Sequence, residues 1–197
     1  MAIEYEATFP NINKDEARAR LKKIGAVLVY PETLQKRSNF NPPQNQDHSS
    51  WLRIRDEGRG VITMSHKIVP DKADLINQQQ EICFKVDNFE EAKNFLLALG
   101  CKEKNYQETR RELWTISGAE ITIDEWPFLN PFLEIESDSE TSVKNIAEKL
   151  GYDYKKALFC NVFYLYSQQY GIPINNLKER ALKDLNILTF SSRNPFE

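Results

Sequence analysis

The chain has 197 residues, of which 41% are hydrophobic and 28% charged, as is usual for a single folded soluble domain. Its net charge of -3 argues against a general nucleic-acid binder, because no basic stripe dominates. The first residues lack the features of a signal peptide, and no apolar run approaches the roughly 20 residues of a membrane span. The three cysteines have neither metal-ligand spacing nor an even count, so we expect reduced, mostly buried thiols in a cytoplasmic protein.

The first 50 residues predict a strand, a helix, a second strand and a loop. Residues 2–9 alternate between apolar and polar side chains, which is typical of a strand with one buried face. Asn13 is a suitable N-cap for the helix that follows. The next strand, AVLVY, is predicted to end at Pro31. The polar residues 34–50, which contain two prolines, are predicted to form a flexible loop after a short strand ending near Arg37.

The middle of the chain predicts a hairpin, a strand, a helix and a further strand. WLRIR and VITMSHKIV are joined by two glycines, and EICFKV, a helix near residues 87–100 and YQETRRELWTI follow. In each strand, basic side chains alternate with apolar ones and so share one face. These basic residues are Arg53, Arg55, Lys67, Lys85 and Arg111.

The stretch ITIDEWPFLNPFLEIE, residues 121–136, places carboxylates on one face of a predicted hairpin. Two alternating runs flank a bend with two prolines, so that Asp124, Glu134 and Glu136 point to the same side. Close carboxylates raise each other's pKa unless a cation lies between them. Oxygen ligands of this kind suit Mg²⁺ or Mn²⁺. The alternative is the solvated outer face of an ordinary sheet.

After this hairpin the sequence predicts three helices. The first lies within residues 139–151, the second within ALFCNVFYLYSQQYG, and the third near Asn176–Leu185. No internal repeat or low-complexity segment interrupts the pattern.

The same alternation recurs in several predicted strands, with acids and bases in comparable number on the polar face. Amphipathic helices could cover the apolar faces, which would give an inverted barrel with its charges inside. Burying so many charges is costly unless they neutralise one another or a ligand. A polyanion with its metal suits that requirement, since bases take the phosphates and acids hold the cation. The alternative is an open sheet whose charged face meets solvent.

Five motifs occur in order along the chain: EYE, LRIR, the lysine of VITMSHK, YQETRRELW and ITIDEWPFLNPFLEIE. This ordered set resembles the CYTH superfamily, or triphosphate tunnel metalloenzymes, which includes class IV adenylate cyclases and thiamine triphosphatases. The resemblance covers about residues 1–152. It implies an α+β fold with an eight-stranded antiparallel closed β-tunnel and helices outside. Residues 153–197 would then be a helical extension of a single domain, 1–197.

The resemblance also implies roles for particular residues. Glu4 and Glu6 match the acids of the family's E-x-E-x-K signature. The phosphate-contacting bases would be Arg53, Arg55, Lys67 and Arg111. Of these, Arg53, Lys67 and Arg111 would have catalytic roles. Lys85, a charge that relatives often lack, would add to the substrate-binding set. The metal ligands for Mg²⁺ or Mn²⁺ would be Glu4, Glu6, Asp124, Glu134 and Glu136.

Three positions depart from the family pattern. Thr8 replaces the signature lysine, Thr109 replaces a second base, and Gln79 stands where many relatives carry arginine. A preorganised cation at a phosphoryl site contributes a few kcal/mol of transition-state stabilisation. The departures therefore predict a slow enzyme, a changed substrate or a binding protein.

The leading hypothesis is a metal-dependent enzyme that acts on ATP, thiamine triphosphate or tripolyphosphate, as a cyclase or as a phosphohydrolase. A different class of function is a non-catalytic nucleotide- or polyphosphate-binding protein that has lost its lysines at Thr8 and Thr109. A third is an interaction protein with a solvent-exposed charged sheet. Relatives of this kind are often dimers, so a homodimer is also considered, whereas neither a nucleic acid nor a membrane is an expected partner.

Overall fold

The computed structural model describes residues 2–43, 50–68, 79–183 and 186–196. Its strands are β1 (Ala2–Phe9), β2 (Val27–Asn41), β3 (Ser50–Asp56), β4 (Ile62–Ile68), β5 (Gln79–Val86), β6 (Lys102–Ile116), β7 (Ala119–Glu125), β8 (Phe132–Ser137) and β9 (Ile187–Leu188). Its helices are α1 (Lys14–Lys23), α2 (Phe89–Ala98), α3 (Glu140–Lys149), α4 (Val162–Tyr170) and α5 (Ile174–Lys183).

The first eight strands form one antiparallel sheet that closes on itself. The strand order is β2-β3-β4-β5-β1-β8-β7-β6, and an additional pairing of β2 with β6 joins the two ends. The short β9 adds to β6 in parallel. Closure removes the free edges of the sheet and separates an inner from an outer face along every strand. The predicted α+β tunnel is thereby confirmed.

The outer face of β7 and β8 carries the main hydrophobic core. Ile121, Ile123, Leu133 and Ile135 are at most 1% exposed and pack beneath α1 and α3. Burial of each such side chain contributes about 1.5–3 kcal/mol. Apolar residues therefore point outward, towards the helices, and the alternating polar residues are left to line the tunnel.

Helices α1, α2 and α3 begin where the sequence predicts them. Asn13 caps α1 by accepting hydrogen bonds from the backbone N–H groups of Asp15 and Glu16. Asn88 caps α2 and Ser139 caps α3 in the same manner. These caps satisfy backbone donors that have no partner within the helix.

The prediction for residues 27–50 is partly wrong. β2 does not end at Pro31 but continues to Asn41, and the pairing with β6 shifts register between Tyr30 and Thr33. A proline is tolerated in a strand where the ladder is interrupted in this way. Residues 34–41 are therefore strand and not loop, Arg37 lies inside the strand, and 44–49 fall outside the described residues. The loop was predicted from the polarity of residues 34–41, but these residues are polar because side chains of β2 line the tunnel.

The C-terminal segment covers part of the barrel. Leu158 forms an isolated β-bridge with Thr8, so α4 begins at Val162 and not near residue 157. Leu165, Tyr166, Leu177 and other apolar residues of this segment pack against Trp126 and Phe132. Trp126 and Phe132 lie on the inner face of the sheet, so the C-terminal helices cover one end of the tunnel.

The cysteines are free, but the prediction that they are mostly buried is wrong for Cys83, which is exposed. Cys101 is buried and Cys160 is partly buried. None of the described helices is long and apolar enough to cross a membrane.

Candidate active site in the tunnel

One wall of the tunnel is basic and is built by β2, β3 and β4. Strand register places Arg37 beside Arg55, and Asn39 beside Arg53. Lys67 on β4 lies opposite Glu81 on β5. Because side chains alternate along each strand, these residues all point inward while Ile54 points to the outer core.

Carboxylates neutralise most of this basic wall. Arg53 donates a 2.8 Å hydrogen bond to Glu81, and Arg55 donates one of 2.7 Å to Glu57. Lys67 lies 3.7 Å from Glu81. Burial opposes ionisation of Glu81, but the charges of Arg53 and Lys67 outweigh it and lower its pKa to about 2. Sequence reasoning did not include Glu57 and Glu81 in the site, although Glu81 alternates with Cys83 and Lys85 on the same strand.

The opposite wall is acidic and is built by β1, β7 and β8. Glu6 pairs in register with Glu136, and Thr8 with Glu134. Asp124 on β7 is fully buried. The structure therefore brings the predicted acids of β1, β7 and β8 to one side of the tunnel, with the side chain of Glu4 outside what it describes.

Arg111 links the acidic wall to the rest of the tunnel. Its guanidinium donates hydrogen bonds of 2.7 and 2.9 Å to the two carboxylate oxygens of Asp124, and one of 2.9 Å to Glu134. Burial disfavours its charge, but Asp124 and Glu134 outweigh burial and raise the pKa of Arg111 well above its usual value. A bidentate pair of this kind fixes both partners in one geometry.

The acidic wall carries more negative charge than Arg111 neutralises. Burial, followed by the nearby charges of Glu6 and Asp124, raises the pKa of Glu134 well above its usual value. Excess charge on oxygen donors fits a divalent cation such as Mg²⁺ or Mn²⁺. In the described part of the chain, no three His, Cys, Asp or Glu side chains stand close enough together to hold a metal ion, so a metal would have to draw carboxylates closer. Arg111 engages both oxygens of Asp124 but only one of Glu134, and Lys67 donates a single 3.4 Å hydrogen bond to Glu6. We therefore expect Glu6, Glu134 and Glu136 to be better placed than Asp124 to bind a metal.

The tunnel also contains Arg37, which sequence reasoning placed near the end of a short strand. Its side chain is 5% exposed and donates a 2.6 Å hydrogen bond to Thr109 Oγ1. Its guanidinium carbon lies 4.7 Å from the centre of the Trp126 ring. The signal that could have revealed it is the alternation of Gln35, Arg37 and Asn39, which continues to the tunnel end of β2.

Other predicted positions have distinct environments. Lys85 pairs in register with Thr63 and is exposed, so it lies where solvent reaches the sheet. Thr8 and Thr109, the two departures from the expected basic pattern, are both buried. Gln79 pairs with Glu4 through the backbone, and both side chains lie outside the described part of the structure.

Several buried polar atoms of the described residues make no hydrogen bond. Four belong to inward-facing residues, Gln35 Oε1, Arg37 Nε, Arg53 Nε and Ser65 Oγ, and two to residues at outward-facing strand positions, Ser38 Oγ and His66 Nε2. Buried polar groups are normally paired with protein, water or a ligand. On the basic wall, the Nε groups of Arg37 and Arg53 are therefore donors left for water or for a ligand.

Comparisons with known proteins agree with this geometry. The sequence pattern of the CYTH domain family matches residues 2–158 of this chain. The chain is 29% identical over 150 residues to MJ0240 of Methanocaldococcus jannaschii, named as a candidate adenylate cyclase, which covers 75% of this chain and 81% of that protein.

Two solved structures have the same fold. A candidate adenylate cyclase from Vibrio parahaemolyticus superposes with a TM-score of 0.70 and 15% identity, over 84% of this chain and 98% of that one. A candidate adenylyl cyclase from Hippeastrum superposes with a TM-score of 0.54 and 13% identity, over 88% and 99% of the two chains. The closed antiparallel barrel, its charged interior and the match over residues 2–158 together show that the chain belongs to the CYTH domain family of triphosphate tunnel enzymes.

Proposed function

We propose that this chain is a metal-dependent enzyme that acts on a triphosphate held inside the tunnel, either as a class IV adenylate cyclase or as a triphosphate phosphohydrolase. The observation that carries the proposal is the convergence of four arginines inside the closed barrel. Arg37 and Arg55 are register partners on β2 and β3, and the charges of Arg53, Arg55 and Arg111 all act on Arg37, opposed by Asp124 alone among the main charges. Such mutual repulsion is costly unless an anion relieves it.

The basic residues would bind and orient the phosphates. Arg53 and Arg55 present guanidinium groups suited to paired hydrogen bonds with phosphate oxygens. Lys67, on the neighbouring strand, adds a compact charge beside them. When a triphosphate binds, these cations would pair with its phosphates as well as with their present carboxylates. The substrate would then be held without any rearrangement of the sheet.

The acidic residues would hold the metal beside the phosphates. Glu6, Glu134 and Glu136, with Glu4 as a further candidate, provide the oxygen donors that Mg²⁺ or Mn²⁺ requires. The metal, when bound, would neutralise charge that develops on the phosphates during the reaction. Arg111 would keep Asp124 and Glu134 in place and present its remaining surface to the substrate. Family members are in general metal-dependent, which supports this assignment.

The relatives support both candidate reactions. MJ0240 is named for adenylate cyclase activity. The Hippeastrum protein is also named as a cyclase, but its structure is described as revealing a dominant triphosphatase activity. Both reactions begin from a bound triphosphate and differ in the attacking group, a ribose hydroxyl or water.

A second candidate function is triphosphate binding without catalysis. Thr8 and Thr109 are the specific observations that favour it, because both are buried in the tunnel where the family pattern has bases. The hydroxyl of Thr109 accepts a hydrogen bond from Arg37, and Thr8 carries no charge to offer a phosphate.

The test is to measure phosphate release and cyclic-nucleotide formation from ATP, thiamine triphosphate and tripolyphosphate, with Mg²⁺ and with Mn²⁺. Turnover that requires metal establishes the enzyme, and the product decides between cyclase and phosphohydrolase. Binding of a triphosphate without turnover on any substrate favours the second candidate. Neither binding nor turnover would contradict both.

A further inference from the structure

Arg37 differs from the other three tunnel arginines in its partners. Arg53, Arg55 and Arg111 each pair with a carboxylate at 2.9 Å or less. Within the described part of the chain, Arg37 has no carboxylate at ion-pair distance. Its Nη2 donates to Thr109, whereas its Nε is buried without a hydrogen-bond partner.

An unpaired guanidinium in this position is energetically unfavourable in the free protein. Burial, and then the positive charges of Arg53, Arg55 and Arg111, lower the pKa of Arg37 well below its usual value, and the negative charge of Asp124 offsets them only in part. An arginine nevertheless stays protonated in a protein, so the charge persists. A buried charge requires a partner to offset the loss of its hydration.

The surroundings of Arg37 hold it in one orientation. The Trp126 ring lies against the guanidinium at 4.7 Å, which restricts the plane of the group. At the next inward position of β2, Asn39 donates hydrogen bonds of 2.6 Å to Asn105 and 3.0 Å to Gln107, the register partner of Arg37. None of these neutral neighbours offsets the charge. The site is therefore oriented for a ligand that brings negative charge.

The position of Arg37 also compensates for the absence of a basic side chain at Thr109. Gln35 faces Thr109 across the β2–β6 pair, and Arg37 is the next inward residue of β2. Its guanidinium reaches back to the Thr109 hydroxyl. A positive charge from the neighbouring strand thus stands where Thr109 provides none.

We propose that Arg37 is a phosphate-binding residue at the covered end of the tunnel, and that it replaces across the β2–β6 pair the basic side chain absent at Thr109. Its ligand is one phosphate group of a linear triphosphate. The assignment deepens the proposed function and rests on it. A strictly structural arginine, which only stacks on Trp126, is the alternative to be separated by experiment.

The experiment measures the binding of tripolyphosphate with Mg²⁺ by titration calorimetry, in wild type, Arg37→Gln, Arg37→Lys and Arg110→Gln. Arg110 lies on the outer face of β6 and pairs with Glu125, so its replacement makes the same change of net charge outside the tunnel. Hydrogen bonds to a charged group predict about 10- to 100-fold weaker binding in Arg37→Gln. Arg37→Lys should recover part of the affinity, and Arg110→Gln should bind like wild type.

Melting of the ligand-free proteins adds a readout that a structural role would move in the opposite direction. Removing an uncompensated charge should leave the melting temperature of Arg37→Gln equal to or above that of wild type. Wild-type affinity in Arg37→Gln would overturn the assignment of Arg37 alone. If Arg37→Gln does not fold, Arg37→Met takes its place, since it keeps the aliphatic part of the side chain without the charge, and wild-type affinity in that variant would overturn the assignment equally. Absence of binding in wild type would overturn the proposed function together with it.

Discussion

The two walls of the tunnel solve the problem of buried charge differently. On the basic wall, Arg55 pairs with Glu57, and Arg53 shares Glu81 with Lys67. Arg37 remains without a carboxylate among the described residues. On the acidic wall, Arg111 serves both Asp124 and Glu134, and Lys67 reaches Glu6 at 3.4 Å from the basic wall. The basic wall thus has surplus positive charge and the acidic wall surplus negative charge. A polyanion that carries its own metal ion satisfies both surpluses at once, which neither a simple anion nor a simple cation does.

The largest expected effect comes from neutralising the acidic wall. In Glu134→Gln combined with Glu136→Gln, metal-dependent turnover should fall at least about 1,000-fold, because the metal and its charge stabilisation are lost. Stabilisation against heat by Mg²⁺ plus triphosphate should also disappear. Glu125→Gln, which removes one carboxylate on the outer face of β7, is a control and should keep both properties. An unchanged melting response to Mg²⁺ plus triphosphate in the double variant would refute the metal assignment.

The cation shared by the acidic wall should matter next, for stability. Arg111→Gln leaves the fully buried Asp124 without its ion-pair partner, which should cost about 3–5 kcal/mol of unfolding free energy. Arg110→Gln changes the adjacent residue, whose side chain is 41% exposed, and should cost at most about 1 kcal/mol. Urea denaturation at pH 7 compares them, and equal losses in the two variants would show that Arg111 is not the central link of this wall.

The ion pairs of the basic wall should make the stability of the protein depend on pH. The pKa of Glu81 is about 2 in the folded protein, against an ordinary value of 4.5. A lowered folded pKa stabilises the protein above pH 4.5, and this contribution, on the order of 3 kcal/mol, is lost as the pH falls from 4.5 to 2. Denaturation across this range should show the loss. The unfolding free energy of Glu81→Gln should depend less on pH across this range. An identical pH dependence in that variant would assign the acid sensitivity to other carboxylates.

The smallest expected effect is a gain on the acidic wall. Thr8→Lys places an ammonium next to Glu134, its partner in the β1–β8 register. This cation should raise turnover of the best substrate about tenfold, which corresponds to roughly 1.4 kcal/mol of transition-state stabilisation. Thr141→Lys, at an exposed position of α3, controls for the added charge. A Thr8→Lys protein no faster than wild type would show that the acidic wall does not lack a base at this position.

Where local patterns decided the structure, sequence reasoning was correct. The strict alternation of residues 2–9 predicted β1, and the run 121–136 predicted the β7–β8 hairpin. These runs place apolar residues on one face and carboxylates on the other, and the barrel preserves that division. The site assignments that follow from alternation remain predictions for the experiments above.

Where polarity itself was used as a signal, sequence reasoning was wrong. Residues 34–41 are polar because they line the tunnel, yet a polar stretch with nearby prolines is typical of a loop. Arg37 was therefore overlooked. Its importance depends on two residues far away in sequence, Thr109 and Trp126, which only the closed sheet brings beside it.

The sequence by itself determined which side chains share a face, because alternation along a strand is a property of the local backbone. It also determined the helix starts through Asn13, Asn88 and Ser139, since a cap acts within one turn. Only the tertiary structure decided which charges neutralise each other. The pairs Arg53–Glu81 and Arg111–Asp124, and the lack of a carboxylate partner for Arg37 among the described residues, arise from strand register and closure. Electrostatic energy depends on distances between residues that are remote in the chain.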